Sequence, residues 1–383
     1  MSAAPVHRRL VVVLPGFEAL APLTHARRFV REAKAAAAVY GLDVSAAGGF
    51  HELDIGAITT MSTHCDGAET VAEIIFSDLD RALGPHRAKD PLTRFVSGFG
   101  ALADFLLTGT VWRFARTSWR FVLFFLFPVF CLFLAALAGW LGSLIVGSAI
   151  TTPAVVYLSA ATFTVVALVA AVWQFHLLLA LDLWTFAADL ARGRDRRVEL
   201  AVDRLAEAVS RRWAEGRFNE VIVAGHSIGA VLAVGLAARV TRGGACRPHV
   251  LTVGSTLLQV ALHPAAMPRR AEVAEVARHG LCWLDVQSLA DPINFFRSNP
   301  VSVLGAGAPA SVRTMSVRFR HQLDPAHYAR IRFNPFRIHR QFVLAVERPS
   351  PYSFHVILCG PERFEDIARR PGLNTDESRM RPK

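Results

Sequence analysis

Between Arg120 and Asp182 the chain contains no Asp, Glu, Lys or Arg. A gap of that length is not an ordinary solvated surface. It is long enough for two membrane spans, since one helix needs about 20 apolar residues. Other absences narrow the function. No zinc-finger spacing, Walker loop or RNA-binding aromatic motif occurs. The net charge of +11 is therefore read as attraction to an anionic membrane surface, not to nucleic acid. There is no C-x-x-C. Cys65, Cys131, Cys246, Cys282 and Cys359 are scattered and odd in number, which points to free thiols in a reducing compartment. His7-Arg8-Arg9 ahead of an apolar run has the outline of a signal peptide, but the run is too short and breaks at Pro15-Gly16. No internal repeat or extended low-complexity segment is present.

What is there is apolar. The 383 residues leave room for one large domain or two ordinary ones. A hydrophobic share of 52% and a mean hydropathy of +0.34 call for a membrane part. Spans are expected at residues 121–146 and 154–181, with the break at 147–153 and a kink at Pro128. Trp119, Trp140, Trp173 and Trp184 lie at or near the span ends, as interfacial aromatics do. His176 falls late in the second span, where an ionisable side chain is a functional suspect or an interfacial residue. Arg113, Arg116 and Arg120 precede the spans, and Arg192, Arg194, Arg196 and Arg197 follow them, while the loop between carries no charge. By the positive-inside rule both termini and both large flanks are cytoplasmic. Residues 91–119 read as an amphipathic helical approach to the membrane, with Phe95, Phe99, Leu102, Phe105 and Leu106 on one side.

Around this insertion the pattern alternates strands and helices. Residues 10–14 are a buried strand closed by Pro15-Gly16-Phe17. A helix over 24–40 stops at Gly41, and a strand is expected at 42–47. The region 48–84 is ambiguous, with a helix over 69–83. A helix over 197–214 leads into a strand at 221–224. Further strands are expected at 250–253, 281–286, 312–319 and 352–359, with a helix over 269–278. Residues 321–340 read as loop, and the tail frays from Asn374.

At the centre stands Gly225-His226-Ser227-Ile228-Gly229, between the 221–224 strand and a small-residue helix from Ala230. This is G-x-S-x-G in the strand–turn–helix setting of a nucleophile elbow. The serine must sit on a strained turn to project its hydroxyl. Glycines at 225 and 229 avoid collisions across the bend. The N–H of Ile228 can face a developing oxyanion, and the backbone of Phe17, after the first strand, is a second candidate donor. Asp291, on the Asp291-Pro292 turn past the 281–286 strand, is the best acid. Asp285 inside that strand is its rival. The base is a choice among His339, His321 and His327, with His339 preferred for its loop-then-helix setting and His355 read as structural.

The motif, the strand order and the Asp291-Pro292 turn resemble the α/β-hydrolase superfamily over residues 8–60 and 197–345. The turn looks like the acid turn of lipases. The resemblance implies a mostly parallel sheet flanked by helices, and the transmembrane hairpin inserted before the nucleophile strand departs from the family's pattern. It divides the chain into 1–118, the first part of the hydrolase domain with the membrane-approach helix; 119–184, the hairpin; 185–365, the part carrying the triad; and a 366–383 tail. It implies a membrane-anchored serine hydrolase of esterase or lipase type, acting through Ser227, His339 and Asp291 on a carboxylic ester or thioester, with lipid esters among the expected substrates. No metal or organic cofactor is needed for that chemistry. Two readings compete on the same residues: an acyltransferase, and a non-catalytic membrane scaffold or partner-binding protein on a hydrolase fold.

Overall fold

The structure, a computed structural model, describes residues 6–18, 20–78, 84–85, 88–308 and 311–370. Its frame is an eight-stranded sheet: β1 (Arg8–Leu14), β2 (Asp43–Leu53), β3 (Gly56–Cys65), β4 (Ala68–Ser77), β5 (Glu220–His226), β6 (His249–Val253), β7 (Trp283–Ser288) and β8 (Val312–Val317). The spatial order is β2-β3-β4-β1-β5-β6-β7-β8. The run from β4 to β8 is parallel, and β2, β3 and β4 form an antiparallel meander.

The central strands are apolar on both faces because helices cover both. In β1, Leu10, Val12 and Leu14 enter one core and Val11 and Val13 the other. In β5, Val221 and Val223 divide from Ile222 and Ala224 in the same way. The first core lies under α8 (Arg196–Ala214) and α9 (Gly229–Arg242), the second under α1 (Pro22–Tyr40) and α16 (Phe354–Cys359). Gly41 ends α1 in the left-handed conformation, φ 66°, with its N–H on the Ala37 carbonyl. All five cysteines are free.

Several expectations change. The helix over 69–83 is instead strand β4 as far as Ser77; residues 79–83 lie outside the described residues. Asp66-Gly67, with φ 49° and 78°, makes the tight turn that returns β4 along β3, the Asp-Gly hairpin signal. The 321–340 loop is three short helices: α13 (Phe319–Gln322), α14 (Pro325–Ile331) and α15 (Pro335–Arg340). Asp324 and Asn334 cap the latter two, accepting N–H bonds from Ala326 (2.9 Å) and Arg337 (3.0 Å). Their prolines occupy the first helical turn, where a missing N–H costs nothing. The strand expected at 352–359 is helix α16, capped by Ser353.

The charge-free segment is also divided differently. α4 (Trp119–Phe125) buries Phe121 and Phe125 in the first core and ends at Leu126. The membrane-capable pair is α5 (Phe127–Ala149) and α6 (Pro153–Phe175), with mean hydropathies of 2.4 and 2.3 over their apolar windows. Each gives about 35 Å of helix at 1.5 Å per residue, enough to cross about 30 Å of hydrocarbon. Only 22% and 6% of those windows is buried in the protein. Pro128 starts α5 and does not kink it. His176, φ 51°, breaks the chain after α6, and α7 (Leu177–Arg192) packs back on the body. Trp140 lies mid-helix and Trp184 is buried in the core, so only Trp119 and Trp173 flank the hairpin, both exposed.

α2 (Pro91–Leu107) is not a free interfacial helix. It lies alongside α7 and runs in the same direction, clamped by Arg94–Asp182 (Nε–Oδ1 3.0 Å) near one end and Arg192–Asp104 (Nε–Oδ2 2.8 Å) near the other. Its outer side still exposes Leu92, Val96, Leu106 and Leu107. The following α3 (Thr110–Thr117) turns away from it by 73°.

Candidate active site

β5 runs directly into Ser227, whose φ is 56°. A non-glycine residue in that region costs of order 1–3 kcal/mol and persists only where its surroundings impose it. Here they do. Ser227 N–H bonds the Val253 carbonyl (3.1 Å), and its own carbonyl accepts from Ala230 (3.1 Å) and Thr256 (3.2 Å). A Cβ at Gly229 would strike the carbonyl oxygens of Leu14 and Pro15; one at Gly225 would lie 2.6 Å from Ala230 Cα. Both positions exclude any side chain. The sequence thus forces strand, bend and helix into contact with the β1 loop. That loop passes over the serine: a Cβ at Gly16 would sit 3.1 Å from Ser227 Cβ. Ile228 N–H lies at the start of α9, where helix N–H groups have no intrahelical acceptor.

Asp291 follows β7 on a turn fixed by Asn294, which donates to the carbonyls of Ser288 (2.9 Å) and Asp291 (2.6 Å). Asp291 is fully buried. One oxygen accepts the Ile293 N–H (2.9 Å) and the other lies 2.8 Å from His339 Nδ1. This arrangement puts the proton of His339 on Nδ1 and leaves Nε2 as the basic atom. Nε2 is buried with no hydrogen-bond partner among the described residues. His339 is held in the last turn of α15. Its backbone carbonyl accepts a bond from His226 Nε2 (3.1 Å), and the two rings lie 4.7 Å apart. Burial, then the neighbouring His339, pushes His226 well below the usual histidine pKa. It is therefore neutral, with its proton on the nitrogen that this bond requires.

Ser227, His226 and His339 line one cleft of about 530 Å³. Gly16 and Phe17 form part of its wall, and Phe124, Trp173, Leu179 and Leu183 bring the root of the apolar helical hairpin to it. His176 lines it as well, 5.8 Å from the Phe336 ring.

The remaining candidates lie elsewhere. His321 is exposed beside Arg320, and His327 pairs with Glu347 (2.7 Å) at the surface. His355 is buried in α16 against Phe29, and burial pushes it down to about 3. Asp285 accepts bonds from Thr252 of the neighbouring strand (2.5 Å) and from Gln287 of its own strand (2.6 Å), and burial pushes its carboxyl up to about 6. Sequence reasoning missed His226, Glu18 and Arg337 as cleft residues. For His226 the signal was its place directly before the serine. For the other two it was only proximity to Phe17 and His339. No group of three or more His, Cys, Asp or Glu residues able to hold a metal occurs among the described residues.

Comparison with protein-family models, with curated proteins and with solved structures found no match.

Proposed function

We propose that the protein is a membrane-anchored serine hydrolase of α/β-hydrolase type, cleaving a carboxylic ester or thioester of an amphiphile. The observation that carries this reading is the buried Asp291–His339 bond facing the same cleft as a serine held at φ 56°. His339 Nε2 takes the proton of Ser227 as Oγ attacks the carbonyl carbon. Asp291 holds the ring's tautomer and stabilises the imidazolium. The N–H groups of Ile228 and Phe17 are the donors for the oxyanion. The carbon–oxygen or carbon–sulfur bond breaks, the leaving group takes the proton from Nε2, and an acyl-serine remains. Water then attacks, giving its proton to Nε2, and releases the acid with Ser227 reprotonated. The cleft's position at the hairpin root supports an amphiphilic substrate drawn from the membrane.

The test is a fluorophosphonate probe on the membrane-embedded protein. Wild type is expected to label and Ser227→Ala to lose both labelling and ester hydrolysis. Equal labelling of the two would overturn the reading.

We further infer that the sheet-bearing body is cytoplasmic, since Arg113, Arg116, Arg120, Arg192, Arg194, Arg196 and Arg197 all lie on the body side of the hairpin. A Ser148→Cys variant should react with a membrane-impermeant maleimide on intact cells, whereas Cys65 should react only after permeabilisation. The reverse pattern would contradict this orientation.

A further inference from the structure

The cleft that holds Ser227 has two unlike walls. One is apolar and comes from the membrane side. Phe124 lies in the last turn of the helix that enters the hairpin, Trp173 lies in the last turn of its second helix, and Leu179 and Leu183 belong to the helix that leaves it. Trp173 is 81% exposed, so this wall continues without a break onto the hairpin's apolar surface. The other wall is cationic. Glu18 pairs with both Arg28 (2.7 Å) and Arg340 (3.2 Å), so one carboxylate serves two guanidiniums. Arg337, one helical turn before Arg340, also lines the cleft, is exposed, and has no carboxylate partner among the described residues. The other acid near the serine, Asp291, is buried on His339. The wall therefore keeps positive charge in excess beside the nucleophile.

From this asymmetry we propose that the substrate is an anionic amphiphile: an acyl ester or thioester whose phosphate-bearing head lies against Arg337 and Arg340 while its acyl chain follows the Phe124–Leu183 wall toward the bilayer. The proposal rests on the hydrolase reading of the site. A guanidinium suits a phosphate because its fork of N–H donors can bind two oxygens at once. Two apolar helices rooted at the opposite wall supply a route by which a chain leaves hydrocarbon and enters the cleft without crossing water. A neutral head would leave Arg337 facing no counter-charge, so discrimination arises from the head and not from the chain.

Hydrolysis of phosphatidic acid and of diacylglycerol with identical chains, each in mixed detergent micelles, tests this directly. A long-chain acyl-coenzyme A in solution is the third arm, because it carries the same chemistry outside a membrane. Wild type is expected to prefer phosphatidic acid over diacylglycerol by tenfold or more in kcat/KM. Arg337→Glu should reduce that ratio about tenfold, and Arg337→Lys should restore part of it. The rate of fluorophosphonate labelling of each variant reports whether the cleft is intact. A preference confined to the coenzyme A ester over a neutral thioester, lowered by the same substitution, supports the proposal with a soluble source. Equal rates on anionic and neutral substrates, or a ratio unmoved in Arg337→Glu, overturn it. Absence of fluorophosphonate labelling in wild type overturns the hydrolase reading instead.

Discussion

Asp291→Asn is expected to lower kcat by about a thousand- to ten-thousand-fold with little change in the stability of the fold. The carboxylate makes two bonds, one to the Ile293 N–H and one to His339 Nδ1. An asparagine can keep the first through its amide oxygen. Its NH2 group then faces Nδ1, and a donor there forces the ring's proton onto Nε2. In the proposed mechanism that is the atom that accepts the serine's proton, so the base would be lost while the packing stays. The loss should appear in kcat and in the rate of fluorophosphonate labelling, with KM little altered. Asp285→Asn offers the contrast, because Asp285 bonds Thr252 and Gln287 and does not line the cleft. Its effect on kcat should stay within about threefold. A loss of less than tenfold in Asp291→Asn would remove Asp291 from the mechanism.

Arg9→Leu should cost about 3–5 kcal/mol of stability, the range for breaking a buried ion pair from one side. Arg9 is fully buried in β1. Its guanidinium contacts Glu220 of β5 (2.6 Å) and donates to the carbonyls of Ile357 and Glu362 (2.8 Å each). Burial draws its pKa down, and the Glu220 carboxylate opposes that. Truncation strands a carboxylate in the strand that carries the serine and frees two carbonyls of the segment closing the second core. The Phe364 N–H (3.2 Å) still reaches Glu220 and recovers only part of the loss. The double variant Arg9→Met, Glu220→Leu should be more stable than the single one, because it removes the unpaired charge. Denaturant unfolding of the detergent-solubilised protein measures both. A single-variant loss below about 1 kcal/mol would contradict this role for Arg9.

The sheet was legible wherever burial on two faces wrote a continuous apolar run, as in β1, β5 and β6. In the N-terminal meander the start of β2 was legible, but β3 and β4 were not, because Val71, Ile74 and Ile75 satisfy either period and only the Asp66-Gly67 turn marks the hairpin. Pro325 and Pro335 suggested loop, yet each follows a capping side chain and starts a helix. That is why α14 and α15 went unseen, although α15 carries His339. The run at Tyr352 is apolar enough for a strand, but Ser353 caps it as a helix. Composition marked the membrane segment but not its ends. Phe121 and Leu181 are as apolar as span residues, and only tertiary packing shows that they belong to the core. Within the site, local sequence places the serine and its glycines, since the bend itself demands them. The juxtaposition of Asp291 with His339, 48 residues apart, is a product of the fold. So is the meeting of Arg337 with the hairpin root in one cleft.

The most direct measurement of the central claim is the position of the covalent adduct. After fluorophosphonate treatment of the membrane-embedded wild-type protein, peptide mass spectrometry should find one phosphonylated residue, Ser227. Prior heat denaturation should abolish it, because on the proposed mechanism reactivity depends on the His339 base and the strained turn. An adduct on another serine, or labelling that survives denaturation, would contradict the account.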